Sequence, residues 1–320
     1  MPTGIFNSQN TVGIREDLSD VLTNISPTET PFFSMTPRTQ ARGTLHEWQT
    51  VTLADAADNA AVEGASAVAA SGNATTRVSN RTQIFSKTLR VSGTEMALNL
   101  AGRSDEWSFQ MDLKAKEIAR DIEWAFVNST AAAAGDVSGD SARRLEGWGM
   151  ADATNATAGF LSSNVETLLT TASDTDTRKN MSETNFNNLL QTIWTAGGNP
   201  DVVFAGGYLK RVISNFSANA TRYASVDFGN KTLNSAVDVY QSDFGQVKIM
   251  LHRNVAPTNL AAISSQYWAV GELRGLQFNR LAKDGDRELG EFVTELTLCD
   301  YAPAASGKLI GAASASGATT

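Results

Sequence analysis

Near the N-terminus, two strand-like runs flank a stretch that this chain cannot bury by itself. The first run is Thr44-Leu45-His46-Glu47-Trp48-Gln49-Thr50-Val51-Thr52-Leu53, and the second is Thr82-Gln83-Ile84-Phe85-Ser86-Lys87-Thr88-Leu89-Arg90-Val91. Between them, Ala54 to Arg81 is rich in Ala, Ser, Thr and Asn. It contains Val62, Val68 and Val78 but no Leu, Ile or aromatic residue. Such a segment removes too little apolar surface from water to offset the entropy of ordering it within its own subunit. A hairpin of this length therefore needs a neighbour to lie on, and the apolar residues of its strands, Leu45, Trp48, Val51, Ile84, Phe85 and Leu89, are the expected contact positions.

The rest of the chain is long enough for a sizeable core: 320 residues, 42% of them hydrophobic. The 26 Lys and Arg against 34 Asp and Glu give a net charge of −8. This argues against a protein whose main task is gripping nucleic acid, because phosphate binding requires clustered basic residues; a local basic patch remains compatible. One cysteine, Cys299, cannot form an intramolecular disulfide and suits a reducing cytosol. The opening Met1-Pro2-Thr3-Gly4-Ile5-Phe6-Asn7 has neither a basic region nor an apolar run, so no secretion signal is expected. No stretch approaches the ~20 apolar residues of a membrane span.

Residues Met1 to about Arg42 read as an extended arm with one short helix. Leu18, Val21, Leu22 and Ile25 recur at helical spacing, Ser26-Pro27 stops the helix, and Pro31 and Pro37 keep the remainder extended. After the hairpin, Ser104 is the expected N-cap of a long helix over Asp105 to Asn128. Trp107, Met111, Ala115, Ile118, Ile122 and Phe126 form its apolar stripe; Lys114, Lys116, Glu117, Arg120, Asp121 and Glu123 mostly take the opposite face. Gly135 to Ser182 reads as loops with minor sheet. From Ser182 a compact α/β unit is expected. It begins with a helix through Phe186, Leu189, Leu190, Ile193 and Trp194, stopped at Gly197-Gly198. A buried strand Val202-Val203-Phe204 follows, then a helix opened by Gly206-Gly207. Val237 to Tyr240 and Val247 to Leu251 then pair as a hairpin about Asp243 to Gln246. Further strands are expected at Tyr267 to Val270 and Glu291 to Leu298, and the Ala/Gly/Ser-rich tail from Ala302 reads as mobile without a partner.

Catalytic patterns are missing. His46 and His252 stand alone, with no Cys or second His at ligand spacing, and read as structural. Gly135-Asp136-Val137-Ser138-Gly139 has the wrong spacing for a nucleophile elbow, and Gly229-Asn230-Lys231-Thr232 lacks the leading glycine of a phosphate loop. The acids of Asp284-Gly285-Asp286-Arg287-Glu288 read as a tight turn rather than a calcium loop. Cys299 reads as an inert hydrophobe; the amine of Lys87, in the second run, could in principle join an acyl acceptor on a neighbour, but cross-linking is the minor reading and the sequence offers no credible active site. No enzyme activity, cofactor or metal is expected.

The element order resembles the tailed-phage major capsid proteins of the Hong Kong 97-type fold. Several phrases are similar to a family of short-tailed-phage capsid proteins: Asp17-Leu18-Ser19-Asp20-Val21, Ile25-Ser26-Pro27-Thr28-Glu29-Thr30-Pro31-Phe32, Asp243-Phe244-Gly245, and Leu281-Ala282-Lys283-Asp284-Gly285-Asp286 followed by Glu295-Leu296-Thr297-Leu298. The resemblance implies an α+β fold. Its parts are an N-terminal arm (1–43), an extended loop hairpin (44–92), a peripheral domain with spine helix about 105–128 (93–181), an axial α/β domain (182–281), and a return strand with tail (282–320). It further implies subunits assembled as pentamers and hexamers into an icosahedral shell around phage double-stranded DNA, made in the host bacterial cytoplasm. The extended loop would lie over a neighbour's spine helix. Many relatives carry a helical scaffolding segment before the arm, and this sequence shows none, so a separate scaffolding protein is expected beside a portal protein and a decoration protein. The competing readings are an encapsulin-like cargo compartment of the same fold, an α/β enzyme, and a surface adhesin disfavoured by the missing secretion signal.

Overall fold

The computed structural model describes residues 28–64, 66, 72–98, 105–136, 138, 140–151, 156–168, 179–216, 238–283 and 285–313. The N-terminal third contains α1 (Pro31–Met35), β1 (Arg38–Gln40), β2 (Leu45–Thr50), β3 (Thr76–Arg81), β4 (Gln83–Ser92), α2 (Gly93–Ala97) and the long α3 (Glu106–Asn128). Then come β5 (Val165–Thr167), α4 (Glu183–Thr195), β6 (Val202–Ala205), α5 (Gly207–Ser214), β7 (Val239–Ser242), β8 (Gly245–Leu251) and β9 (Leu260–Ile263). The chain closes with β10 (Trp268–Arg280), β11 (Arg287–Asp300) and β12 (Gly307–Ile310).

Three sheets result. One has four strands in the order β1-β10-β11-β4, one has six in the order β5-β12-β9-β6-β8-β7, and β2 and β3 form a separate ribbon. The long β10–β11 hairpin is the axis of the first sheet. The expected strands at Tyr267 to Val270 and Glu291 to Leu298 are both present but extend much further, because the polar residues beyond them continue to pair antiparallel. The stretch from Thr294 to Asp300 is buried at every position, so that end of β11 is covered on both faces.

The 23 residues of α3 span about 34 Å at 1.5 Å per residue. The cap is Asp105, not Ser104, which lies outside the described residues. The Asp105 carboxylate accepts from the backbone N–H of Trp107 and Ser108, and its hydrogen bonds with Ser108 draw its pKa below the ordinary carboxylate value. α4 starts at Ser182 as expected, with a capping box to Asn185 that the structure adds, and Gly197, at φ 88°, ends it in the left-handed region that glycine enters freely.

Four expectations change. The Leu18–Ile25 helix lies outside the described residues, whereas Pro31 to Met35, expected to be extended, is helical. Proline is tolerated at the first helical position because its missing N–H would find no intrahelical partner there. The partner of β2 is β3, with Trp48 opposite Val78, while the second apolar run is β4 and pairs with β11. An exposed ribbon needs no apolar face, so polar Thr76–Arg81 serves it and the apolar run goes to the core. The range 182–281 does not delimit one sheet: β10 belongs to the four-stranded sheet, while β5 and β12 complete the six-stranded one. Finally, Gly307–Ile310 of the expected mobile tail is a buried inner strand between β5 and β9.

That strand carries Lys308, which is fully buried. Its Nζ donates to the carbonyls of Ala158 at 2.6 Å and Gly149 at 3.3 Å. The two backbone passes it joins approach so closely that a Cβ on Gly159 would sit 2.4 Å from the Gly149 nitrogen. Both glycines have positive φ, so neither position admits a side chain without strain.

Candidate assembly surfaces

On α3, Trp107, Ile118, Ile122 and Phe126 are buried in the main core, and Met111 and Ala115 pack against it half-exposed. The opposite face departs from expectation at its C-terminal end. Glu123, placed with the polar residues, is fully buried, whereas Trp124 is 56% exposed. The reason lies in α1. Glu123 accepts the backbone N–H groups of Phe32 and Phe33 at 2.9 and 2.8 Å, two of the donors that a helix start leaves unpaired. Phe32, thus fixed, plugs the core edge-on against Trp148, Phe126, Phe204 and Trp268. Full burial of such a side chain is worth about 1.5–3 kcal/mol.

The expected contact residues of the extended loop divide sharply. Leu45, Val51 and Ile84 are 40, 59 and 51% exposed. Trp48, Phe85 and Leu89 are buried within their own protomer, which removes them from the contact set: Phe85 and Leu89 face the core from β4, and Trp48 packs against Phe160 and Tyr301. The ribbon is also bolted down by polar groups that hydropathy gives no sign of. Asn80 is fully buried, donates from Nδ2 to the carbonyls of Glu146 and Leu298, and accepts from the Glu146 N–H. Thr82, the break between β3 and β4, donates to Glu295 at 2.7 Å. Glu295 in turn pairs with Arg143 and, at 2.9 Å, with Arg274. Trp48 Nε1 donates to the Asp300 carbonyl at 2.8 Å.

Beyond this base the ribbon stands clear. Every residue from Val51 to Gly64 is exposed, with Leu53 at 81% and Val62 at 79%. Beside the base, a groove between β4 and α3 is lined by Gln83, Ile84, Ser86, Asp121 and Trp124. One of its walls, β4, is the outer strand of its sheet and therefore presents unpaired backbone groups. Lys87 at the groove's end is engaged with Asp121 at 2.7 Å.

Among the described residues no catalytic geometry emerges. Burial pushes the Cys299 thiol up to about 12, which keeps it protonated and unreactive at neutral pH. His46 is drawn below its ordinary value by partial burial and lies against Trp48, and His252 is locked to Glu123. Among the described residues, no group of three or more His, Cys, Asp or Glu is placed to hold a metal, and no helix is long and apolar enough to cross a membrane.

A long helix packed on a four-stranded sheet, a six-stranded α/β unit and an exposed hairpin together define a capsid-shell subunit of the Hong Kong 97 type. Residues 2–313 match the SU10 major capsid protein family, and the chain belongs to that family. It is a structural protein of the phage capsid. A major capsid protein of Escherichia phage Phieco32 is 26% identical, with 97% of each chain covered. Among solved structures, the capsid of a native GTA particle superposes with a TM-score of 0.62 at 11% identity, covering 96% of this chain and 98% of that one. One from Mycobacterium phage Bobi gives 0.60 at 12% identity, covering 94% and 96%.

Proposed function

We propose that the subunit closes into an icosahedral shell of pentamers and hexamers around phage double-stranded DNA, with the β2–β3 hairpin of each copy lying in the β4–α3 groove of the next. The observation that carries this reading is the uninterrupted exposure of residues 51–64, apolar side chains included. In the groove, Ile84 and Trp124 offer the apolar surface and β4 the free backbone that such a strand requires. Repeated around each capsomer, contacts that are individually weak become collectively strong. A separate scaffolding protein, a portal, a decoration protein and assembly in the host cytoplasm complete the reading. The family match favours a phage shell over a cargo compartment.

The test is to replace residues 55–74 with a short turn, leaving β2 and β3 intact. The variant subunit is expected to remain soluble and folded by circular dichroism and to form no shells by negative-stain microscopy. Normal particles would overturn the role given to the hairpin.

A further inference from the structure

Asp300 ends β11 directly beneath the ribbon and is fully buried. Its main-chain carbonyl receives the Trp48 indole N–H, and its Oδ1 receives the Ala302 N–H at 3.1 Å. Its other carboxyl oxygen, Oδ2, is buried with no hydrogen-bond partner. An uncharged carboxyl tolerates such a site, whereas an ionised one is left without solvation. Among the described residues no cation forms an ion pair with this carboxyl. Opposite on β10 stands Trp268; Cys299 and Tyr301 flank it on its own strand, both shifted upward and neutral. The ionisable groups of the ribbon are His46 and Glu47 on β2 and Arg77 and Arg81 on β3, Arg77 being paired with Glu47 at 3.6 Å, and Glu146 lies in the loop that Asn80 holds. His46 is lowered and Glu146 raised by burial, so both favour their neutral forms. Burial lifts Asp300 itself to about 7.

We propose that the base of the hairpin is a proton-set latch: the buried Asp300, whose main-chain carbonyl holds Trp48, keeps the ribbon against the sheet while its carboxyl is protonated and loosens it as the proton is lost. This deepens the assembly reading, since it concerns the element that reaches the neighbouring copy. Opening exposes the carboxyl to water and returns it to an ordinary carboxylate. Opening is therefore favoured progressively as pH rises from about 4 to about 7, then levels off once the closed form ionises as well.

Hydrogen–deuterium exchange of the full-length soluble subunit, corrected for intrinsic rates, tests this between pH 4.5 and 8. For peptides covering β2 and β3, the opening equilibrium is expected to rise by up to roughly a hundredfold from pH 5 to pH 7 and then plateau. Amides of β10 and β8 report the global opening, so the latch is read as ribbon opening at a lower free energy than theirs at every pH. In Asp300→Asn the ribbon slope disappears. If that variant does not fold, the wild-type profile decides alone. A ribbon slope absent, or a ribbon that opens only together with β10, overturns the latch, as does a slope unchanged in Asp300→Asn. Because the measurement is made on unassembled subunits, a failed latch is distinguishable from a failed assembly role, which the loop-replacement particles report separately.

Discussion

Glu123 Oε1 lies 2.7 Å from His252 Nε2, and neither side chain reaches solvent. The N–H of Asn254 donates to His252 Nδ1 at 3.2 Å, so Nδ1 is the acceptor and the ring proton sits on Nε2, donating to Glu123. Glu123 thereby accepts three N–H groups, from α1 twice and from the loop after β8 once. One residue of the spine helix joins the N-terminal segment to the six-stranded sheet.

Replacing Glu123 with Ala is expected to cost about 3–5 kcal/mol, because it strands three buried donors at once. Urea unfolding of the soluble subunit measures it. A loss below about 1 kcal/mol would mean that α1 is not held through this carboxyl.

Asp300 should also mark the pH dependence of global stability. Its folded pKa is raised, from 3.8 to about 7, so the unfolded state releases its proton first. Stability therefore falls as pH rises between about 4 and 7 and is constant above, by roughly 4 kcal/mol at most from this group. Asp300→Asn is expected to be more stable than wild type at pH 8 and to converge with it near pH 4. Parallel stability profiles would refute the assignment.

The two faces of α3 should respond oppositely to one kind of change. Ile118 is 1% exposed, so Ile118→Glu buries a charge and is expected to abolish soluble expression. Trp124→Glu is expected to leave the fold intact within about 0.5 kcal/mol and to block shell formation. Equal soluble yield from both would count against the helix orientation, and intact particles from Trp124→Glu against the groove as a contact.

Lys308→Met leaves the Gly149 and Ala158 carbonyls without their buried donor, for an expected loss of about 1–3 kcal/mol by thermal unfolding. Arg at the same position should not rescue it, since the planar fork does not fit the space of an ammonium between two adjoining backbone passes.

The apolar stripe of α3, the helix start at Ser182, the buried strand at Val202 and the excess length of the hairpin were legible because periodicity and capping are local properties of sequence. What sequence could not carry was partnership. Polar Thr76–Arg81 has no hydropathic mark of a strand, yet it pairs with β2, because the neighbouring apolar run is more stably used against β11. Glu123 leaves the polar face where it was expected and is buried, because the N–H groups that make its burial affordable come from a segment 90 residues away. Gly307–Ile310, within the Ala/Gly/Ser-rich end, becomes an inner strand for the same reason: Leu309 and Ile310 find apolar cover, and Lys308 its carbonyl acceptors, only once the sheet surrounds them. Local pattern alone gave the long helices and the apolar runs and showed that one hairpin exceeds what the subunit can cover. The tertiary structure decided which strands pair, which charges are buried and which apolar side chains remain for a neighbour, since each depends on donors and surfaces brought together only by folding.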